Sequence, residues 1–170
     1  MDSRRTMLSL PEGRGTGSGS DRRNAGAARA IKQFLRASLQ VTATMEVHVI
    51  GPVRNAAEIA RAAGFSVTGF DVVLENGTAR HTLRHHGDPV AEAKRGQLAV
   101  TEDDLARMAQ ILCEFDTVGA AVPTKQGAPQ ARFHKRIGMV EYEVFAEMRR
   151  TARQVAVKTI MKRRGKEASS

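Results

Sequence analysis

The chain has 170 residues, of which 41% are hydrophobic and only 4% aromatic, and its formal net charge at pH 7 is +9. This length suits one folded domain with a disordered end, and no apolar run approaches the roughly 18 residues of a membrane span. The lone cysteine, Cys113, excludes an internal disulfide and a cysteine-rich metal site, while the scarcity of aromatic rings argues against a base-stacking surface.

Residues 1–25 are predicted to be a disordered linker, because the segment is rich in Gly, Ser and Arg and has no apolar period. A single folded domain is expected over residues 26–163, followed by a basic flexible tail at 164–170. The first helix is predicted over Ala27–Leu39, where apolar residues recur at helical spacing.

Strands and short helices alternate in the next part of the chain. Thr78 is expected to cap a histidine-rich helix that ends at Gly87. Thr101 and Asp104 resemble a capping box at the start of a helix whose apolar stripe reaches Phe115. The predicted elements are strands at 46–53 and 67–74 and helices at 55–63, 78–86, 88–95 and 101–115.

After residue 116 the apolar period changes to two, which is typical of strands with one buried face. Strands are predicted at 117–122, 132–137, 140–148 and 154–161, with a loop at 123–130. The sequence therefore predicts an α+β fold in which N-terminal helices pack on one face of a C-terminal antiparallel four-stranded sheet.

Positive charge is concentrated in the same C-terminal part. Residues 120–170 contain 12 Lys and Arg against 4 Asp and Glu, whereas residues 41–119 contain 7 against 11. Clustered cations favour a polyanionic partner, with nucleic acid first. The alternative is an ordinary solvated face that ends in a basic tail.

The histidine-rich helix is the first candidate for chemistry. His81, Arg84 and His85 share one helix face, and His86 lies on another. An imidazole can accept or donate a proton near neutral pH, so His81 is the preferred general acid or base, although the sequence does not decide among the three histidines. His81 and His85 have metal-ligand spacing, but no third ligand is evident, and no metal site is predicted.

The basic strands supply candidate phosphate ligands. Alternation places Arg132 and Arg136 on one face of their strand and Lys135 on the other. In the last strand Lys158 and Thr159 are expected to point to opposite faces. Thr159 then sits on the side of Val155 and Val157, where it is either a site residue or a strand-forming core residue.

Four motifs together resemble a known family. They are HTLRHHG (His81–Gly87), RGQLAVTEDDLARMAQIL (Arg95–Leu112), FDTV (Phe115–Val118) and QVAVKTIMK (Gln154–Lys162). Over residues 45–163 this order is similar to the phage-associated branch of the barnase–EndoU–colicin–RelE-like (BECR) nuclease fold. Met161 departs from the pattern, because members often carry an aromatic residue soon after the threonine.

The resemblance implies a cofactor-free, metal-independent ribonuclease toxin that acts on RNA, especially transfer RNA, in bacterial or phage competition. It also implies an immunity protein or antitoxin as a partner, and secretion or delivery into the cytoplasm of a target cell. The N-terminal linker would join a delivery protein or phage particle. The expected catalytic residues are His81, Thr159, His86 and Lys158, and the expected RNA-binding residues are Arg84, Arg132, Lys135, Arg136 and Arg149.

Two other functions remain open at this stage. A noncatalytic nucleic-acid-binding module of a phage or nucleoid would use the same basic strands and the KRRGK segment from Lys162 to Lys166. ADP-ribosyl transfer is a third possibility, since Glu141 and Glu143 loosely resemble the paired glutamates of such enzymes.

Overall fold

The computed structural model describes residues 19–39 and 45–166. Within these ranges helices pack on one face of a mostly antiparallel sheet. The helices are α1 (Gly19–Ser38), α2 (Ala56–Ala63), α3 (Asn76–His86), α4 (Pro89–Lys94), α5 (Glu102–Ala106) and α6 (Met108–Cys113). The strands are β1 (Val47–Pro52), β2 (Asp71–Glu75), β3 (Thr117–Val118), β4 (Val122–Pro123), β5 (Pro129–Ile137), β6 (Val140–Arg149) and β7 (Gln154–Arg164).

The α+β class is confirmed, but the predicted four-stranded antiparallel sheet is wrong. The sheet has seven strands in the order β1-β2-β7-β6-β5-β3, with β4 also pairing β5. The two early strands join the late ones because β2 pairs β7 in parallel, from Asp71 opposite Gln154 to Val73 opposite Ala156. The number of strands in the sheet depends on pairing between segments that are distant in sequence. The hydrophobic period of a single segment does not show which strand it pairs with.

One face of the sheet is buried against the helices. Alternate residues of β6, including Tyr142, Val144 and Ala146, enter a hydrophobic core with Ile31 and Leu35 of α1. The opposite face, called here the open face, carries the other residues of each strand, such as Glu143 and Phe145 of β6. Core burial therefore fixes which side chains remain available on the open face.

A register shift interrupts β7 near its middle. Phe145 of β6 lies opposite Thr159, whereas the next residue, Ala146, lies opposite Val157. Lys158 is thus an extra residue with no register partner on β6, as in a β-bulge. The predicted grouping of Thr159 with Val155 and Val157 is wrong, because the shift moves Thr159 to the side of Phe145.

The helix starts differ from prediction in two places. Helix α1 begins at Gly19, so residues 19–25 of the predicted linker are helical, and the rest of that linker lies outside the described residues. Helix α3 begins at Asn76 directly after β2, which places Thr78 inside the helix and buries it. Residues 167–170 of the predicted tail also lie outside the described ranges, while residue 164 ends β7.

The capping box is confirmed: Thr101 accepts from the Asp104 amide, and the Asp104 side chain accepts from the Thr101 amide. The helix predicted to follow is two helices, because the backbone leaves the helical path at Arg107. Similarly, the strand predicted at 117–122 is broken where the Ala121 amide donates to the Ala62 carbonyl of α2. No helix of the described ranges is long and apolar enough to cross a membrane.

Candidate functional site

A cleft of about 390 Å³ lies where the start of α3 meets the middle of β7. It brings an imidazole, a carboxylate and an ammonium together, from His81, Glu75 and Lys158. The remaining walls are Met45, Gly77 and Thr78. These groups are the kinds of side chain that move protons and bind phosphate.

Local structure explains how three distant parts of the chain meet there. Glu75 ends β2 and α3 follows without a loop, so His81 comes less than two turns into the helix. Helix α3 packs along β7. The register shift at Lys158 then supplies the third group beside that helix.

Two largely buried carboxylates hold the cations beneath the cleft. Arg149 donates from Nη1 to Glu75 Oε1 at 2.5 Å and from Nε to Glu147 Oε2 at 3.3 Å. Lys158 Nζ lies 3.8 Å from the same oxygen of Glu147. The hydrogen bond to Glu75 and the charges of both glutamates raise the pKa of Arg149, so its guanidinium stays charged. The network holds Lys158 in the wall of the cleft that His81 also lines, with its ammonium still partly exposed.

His81 is exposed, and its environment disfavours the imidazolium form. Desolvation is the largest cause that lowers its pKa, and the neighbouring charges of His85, His86 and Arg84 add to it. The rings of His81 and His85 are close, with centroids 4.3 Å apart. At pH 7 His81 is therefore mainly neutral, which suits a proton acceptor.

The other predicted site residues of α3 do not line the cleft. His86 Nδ1 lies 3.3 Å from Glu92 Oε2, and the Glu92 side chain is fully buried. Glu92 also accepts from Arg95, so these three residues tie α3 to α4. Arg84 and His85 are exposed on the helix surface. His86 thus has a clear structural contact, while Arg84 is available to a ligand approaching α3.

Thr159 is not a lining residue of the cleft either. Its hydroxyl oxygen is buried and has no hydrogen-bond partner among the described residues. It lies opposite Phe145, whose side chain is half-buried on the open face. A catalytic role for Thr159 therefore requires a movement that exposes the hydroxyl.

The predicted RNA-binding residues of β5 lie away from the cleft. Arg132 donates to Glu143 Oε1 at 2.9 Å on the open face. Lys135 donates to Asp116 at 2.9 Å, and Arg136 donates to the Gly138 and Lys166 carbonyl oxygens. The alternation along β5 is as predicted. Lys135 lies opposite Tyr142 of β6, on the core side of the sheet, whereas Arg132 lies opposite Phe145, on the open face. The structure divides the predicted site into the cleft at α3 and a basic region on β5.

Glu75 is a cleft residue that the sequence interpretation missed. It falls between the strand predicted at 67–74 and the helix predicted at 78–86, and only the pairing of β2 with β7 places it beside Lys158. Arg149 was named from sequence, and the structure shows it bonded to Glu75 beneath the cleft. The carboxylate and its arginine are therefore one unit that spans β2 and β6.

A second polar cluster fastens α5 to the sheet. Asp104 accepts from Tyr142 Oη at 2.7 Å and from Lys162 Nζ at 2.6 Å. Burial raises the pKa of Asp104, but hydrogen bonds from Lys162, Tyr142 and Thr101 outweigh it and hold the pKa below its usual value. Burial and Asp104 raise the pKa of Tyr142 to about 12. Every polar atom of this cluster has a structural partner, so we assign it to stability.

No three His, Cys, Asp or Glu side chains of the described residues stand together in a way that could hold a metal ion. One family model, described as phage-Barnase-EndoU-ColicinE5/D-RelE like nuclease3, matches residues 49–170. The match includes β2, α3 and β7, which build the cleft. No curated protein and no solved structure matches the chain.

Proposed function

Because the chain belongs to the phage-Barnase-EndoU-ColicinE5/D-RelE like nuclease family, we propose that it is an endoribonuclease acting without a metal ion. Membership of that family makes it an enzyme that acts on nucleic acid. The observation that carries the finer proposal is the cleft in which His81, Glu75 and Lys158 meet. A proton acceptor beside a cation is what attack of a ribose 2′-hydroxyl on its own phosphate requires.

In this mechanism His81, neutral at pH 7, takes the proton from the 2′-hydroxyl. The 2′-oxygen attacks phosphorus, the bond to the 5′-oxygen breaks, and a 2′,3′-cyclic phosphate remains. Glu75, held by Arg149, is the carboxylate in the wall of the same cleft and offsets part of its positive charge. We assign two roles to Lys158, the ammonium that lines the cleft: it neutralises the charge that accumulates on the phosphate oxygens, and it gives a proton to the departing 5′-oxygen.

We further propose the biological setting that the family resemblance implies. The chain is a toxin domain used in bacterial or phage competition, its substrate is transfer RNA, and an immunity protein restrains it in the producing cell. It is secreted or delivered and acts in the cytoplasm of the target cell, with residues 1–18 linking it to a delivery protein or phage particle. Exposed cations such as Arg84, Arg163 and Arg164 support a large polyanionic substrate.

The test is incubation of purified protein with total transfer RNA in excess EDTA, with wild type beside His81→Ala. Wild type should give discrete fragments ending in cyclic phosphate, and His81→Ala should give none. His85→Ala is the matched control, because His85 lies one helical turn away and does not line the cleft. Fragments that persist in His81→Ala, or that need an added metal, would refute the proposal.

Intact RNA in every reaction would favour a noncatalytic binding module. One observation supports that second function: exposed Arg163, Arg164 and Lys166 line a depression, together with Glu141, at the end of β7. A binder would retain salt-sensitive affinity for RNA while cutting none.

A further inference from the structure

A second pocket, of about 120 Å³, lies on the open face beyond the cleft. It forms where the segment after α4 crosses the end of β7, held by the Leu98 amide donating to the Lys162 carbonyl at 2.8 Å. Its walls include Arg95, Gln97, His134, Glu143, Met161 and Arg163. Within the described ranges, the contacts that hold His81 and Lys158 involve other residues.

Two arginines at the rim of this pocket use only some of their N–H donors in contacts with neighbouring glutamates. Arg163 uses Nε to hold Glu141 at 2.8 Å, and its side chain is 56% exposed. Arg95 uses Nη1 to hold Glu92, and its side chain is 54% exposed. A guanidinium has five N–H donors, so each arginine keeps further donors for a phosphate.

Inside the pocket the amide of Gln97 lacks good partners. Its Oε1 is buried without a hydrogen-bond partner among the described residues. Its Nε2 donates to Met161 Sδ at 3.5 Å, and a thioether is a weak acceptor. An unsatisfied buried amide is costly, so a rotation of the Gln97 side chain that turns Oε1 toward a ligand's donor in the pocket would relieve that cost. The edge of a nucleobase has both.

The pocket lies where an RNA strand bound in the cleft would reach it. Lys158 lines the cleft and Met161 lines the pocket, and both belong to β7. The three intervening steps along a strand span on the order of 10 Å. His134, half-buried on β5, faces the same pocket and extends it to a neighbouring depression with Lys135 and Arg136.

From this geometry we propose that the pocket is a nucleotide subsite. It binds the base of an RNA nucleotide adjacent to the cleaved bond through Gln97 and Glu143, while Arg163 and Arg95 bind that nucleotide's phosphate. The inference rests on the proposed function, since it assigns a flanking residue of the same substrate. The pocket then contributes to the sequence preference of cleavage, and the cleft supplies the chemistry.

The test uses a fluorescent 2′-O-methyl RNA trinucleotide, which has no free 2′-hydroxyl and is not cut. Its Kd is measured at fixed salt for wild type, Arg163→Ala, Gln97→Ala and His85→Ala. We expect Arg163→Ala and Gln97→Ala each to weaken binding by about tenfold, because each removes hydrogen bonds to the ligand. His85 lines neither the cleft nor the pocket, so His85→Ala should bind within about twofold of wild type, a difference of less than 0.5 kcal/mol.

Arg61→Ala is the matched control, because it removes one exposed arginine from α2, on the helical side of the sheet. Equal losses in Arg163→Ala and Arg61→Ala would overturn the subsite, since binding would then follow net charge alone. Arg163→Lys, which keeps the charge, should recover only part of the affinity. Variant-sensitive trinucleotide binding without cleavage of any RNA would sink the proposed ribonuclease yet retain the subsite, so the two failures are distinguishable.

Discussion

Lys158 of β7 and Glu147 of β6 form an ion pair of 3.8 Å that holds the lysine beside the cleft of His81. The pair exists because the register shift places Lys158 outside the regular ladder between β6 and β7. Glu147 is largely buried and also binds Arg149, so its position is fixed. A local irregularity of one strand thus delivers the cation of the proposed active site.

Removal of Lys158 should lower cleavage strongly. Lys158→Met keeps the length of the side chain and loses the ammonium, so we expect kcat to fall by roughly 10²–10³-fold. Single-turnover cleavage of RNA measures the effect. Lys94→Met is the control, since Lys94 is an exposed lysine of α4 outside the cleft. Equal activity of the two variants would remove Lys158 from the mechanism.

The pH dependence of cleavage should reflect His81. Desolvation and neighbouring cations lower its pKa from the ordinary value of 6.5. A general base must be neutral, so kcat/KM should rise with pH, with the midpoint of the rise below pH 6.5. The measurement is a pH profile at constant ionic strength, beside His85→Ala, which should shift the midpoint upward because a neighbouring positive charge is lost. A profile that falls over this range would identify His81 as an acid instead.

Asp104 should be important for stability. Asp104→Asn removes the charge that binds Lys162 and Tyr142, and we expect the free energy of unfolding to fall by roughly 3 kcal/mol. Urea denaturation at pH 7 measures this loss. Asp103→Asn is the control, because its pair with Lys32 is exposed to solvent and should contribute much less.

The stability of the protein should fall at acid pH as Asp104 becomes protonated. The pKa of Asp104 is lower in the folded protein than in the unfolded chain, so its contribution is complete above the unfolded pKa near 4. It should be lost as the pH falls through the folded pKa. Asp104→Asn should therefore unfold with a weaker acid dependence than wild type, and an unchanged dependence would contradict this assignment.

Two glycines in helical surroundings should respond oppositely to alanine. At Gly87 a Cβ would collide with the Leu83 carbonyl oxygen, so Gly87→Ala should destabilise the end of α3. At Gly26 of α1 the space is open, and Gly26→Ala should stabilise by up to about 1 kcal/mol through helix propensity. Thermal unfolding measures both, and a stabilising Gly87→Ala would contradict the packing described for α3.

Local signals predicted much of the architecture. The capping box at Thr101 and the alternation along β6 are confirmed, because each depends on residues close in sequence. The parallel pairing of β2 with β7 depends on contacts between distant segments, which no local pattern contains. That pairing also decides the site, since it brings Glu75 to Lys158.

The face of β7 on which Thr159 lies could not be predicted from the sequence either. Strict alternation groups Thr159 with Val155 and Val157, but the extra residue at Lys158 reverses the grouping. Val157 and Thr159, the neighbours of Lys158, are both common strand residues, so nothing in the sequence marks the extra residue between them. His81 and Lys158 were named from sequence, and the structure brings them together in one cleft; their catalytic roles stay a prediction.

His81 and Lys158 are proposed to act on the same phosphate. A double-mutant cycle on the single-turnover rate of RNA cleavage in EDTA tests this directly, with His81→Ala, Lys158→Met and the double variant. Groups that act as a unit are non-additive, so the double variant should be little slower than the slower single variant. Losses that multiply in the double variant would show that the two residues act independently, and a fully active His81→Ala would exclude His81 from catalysis.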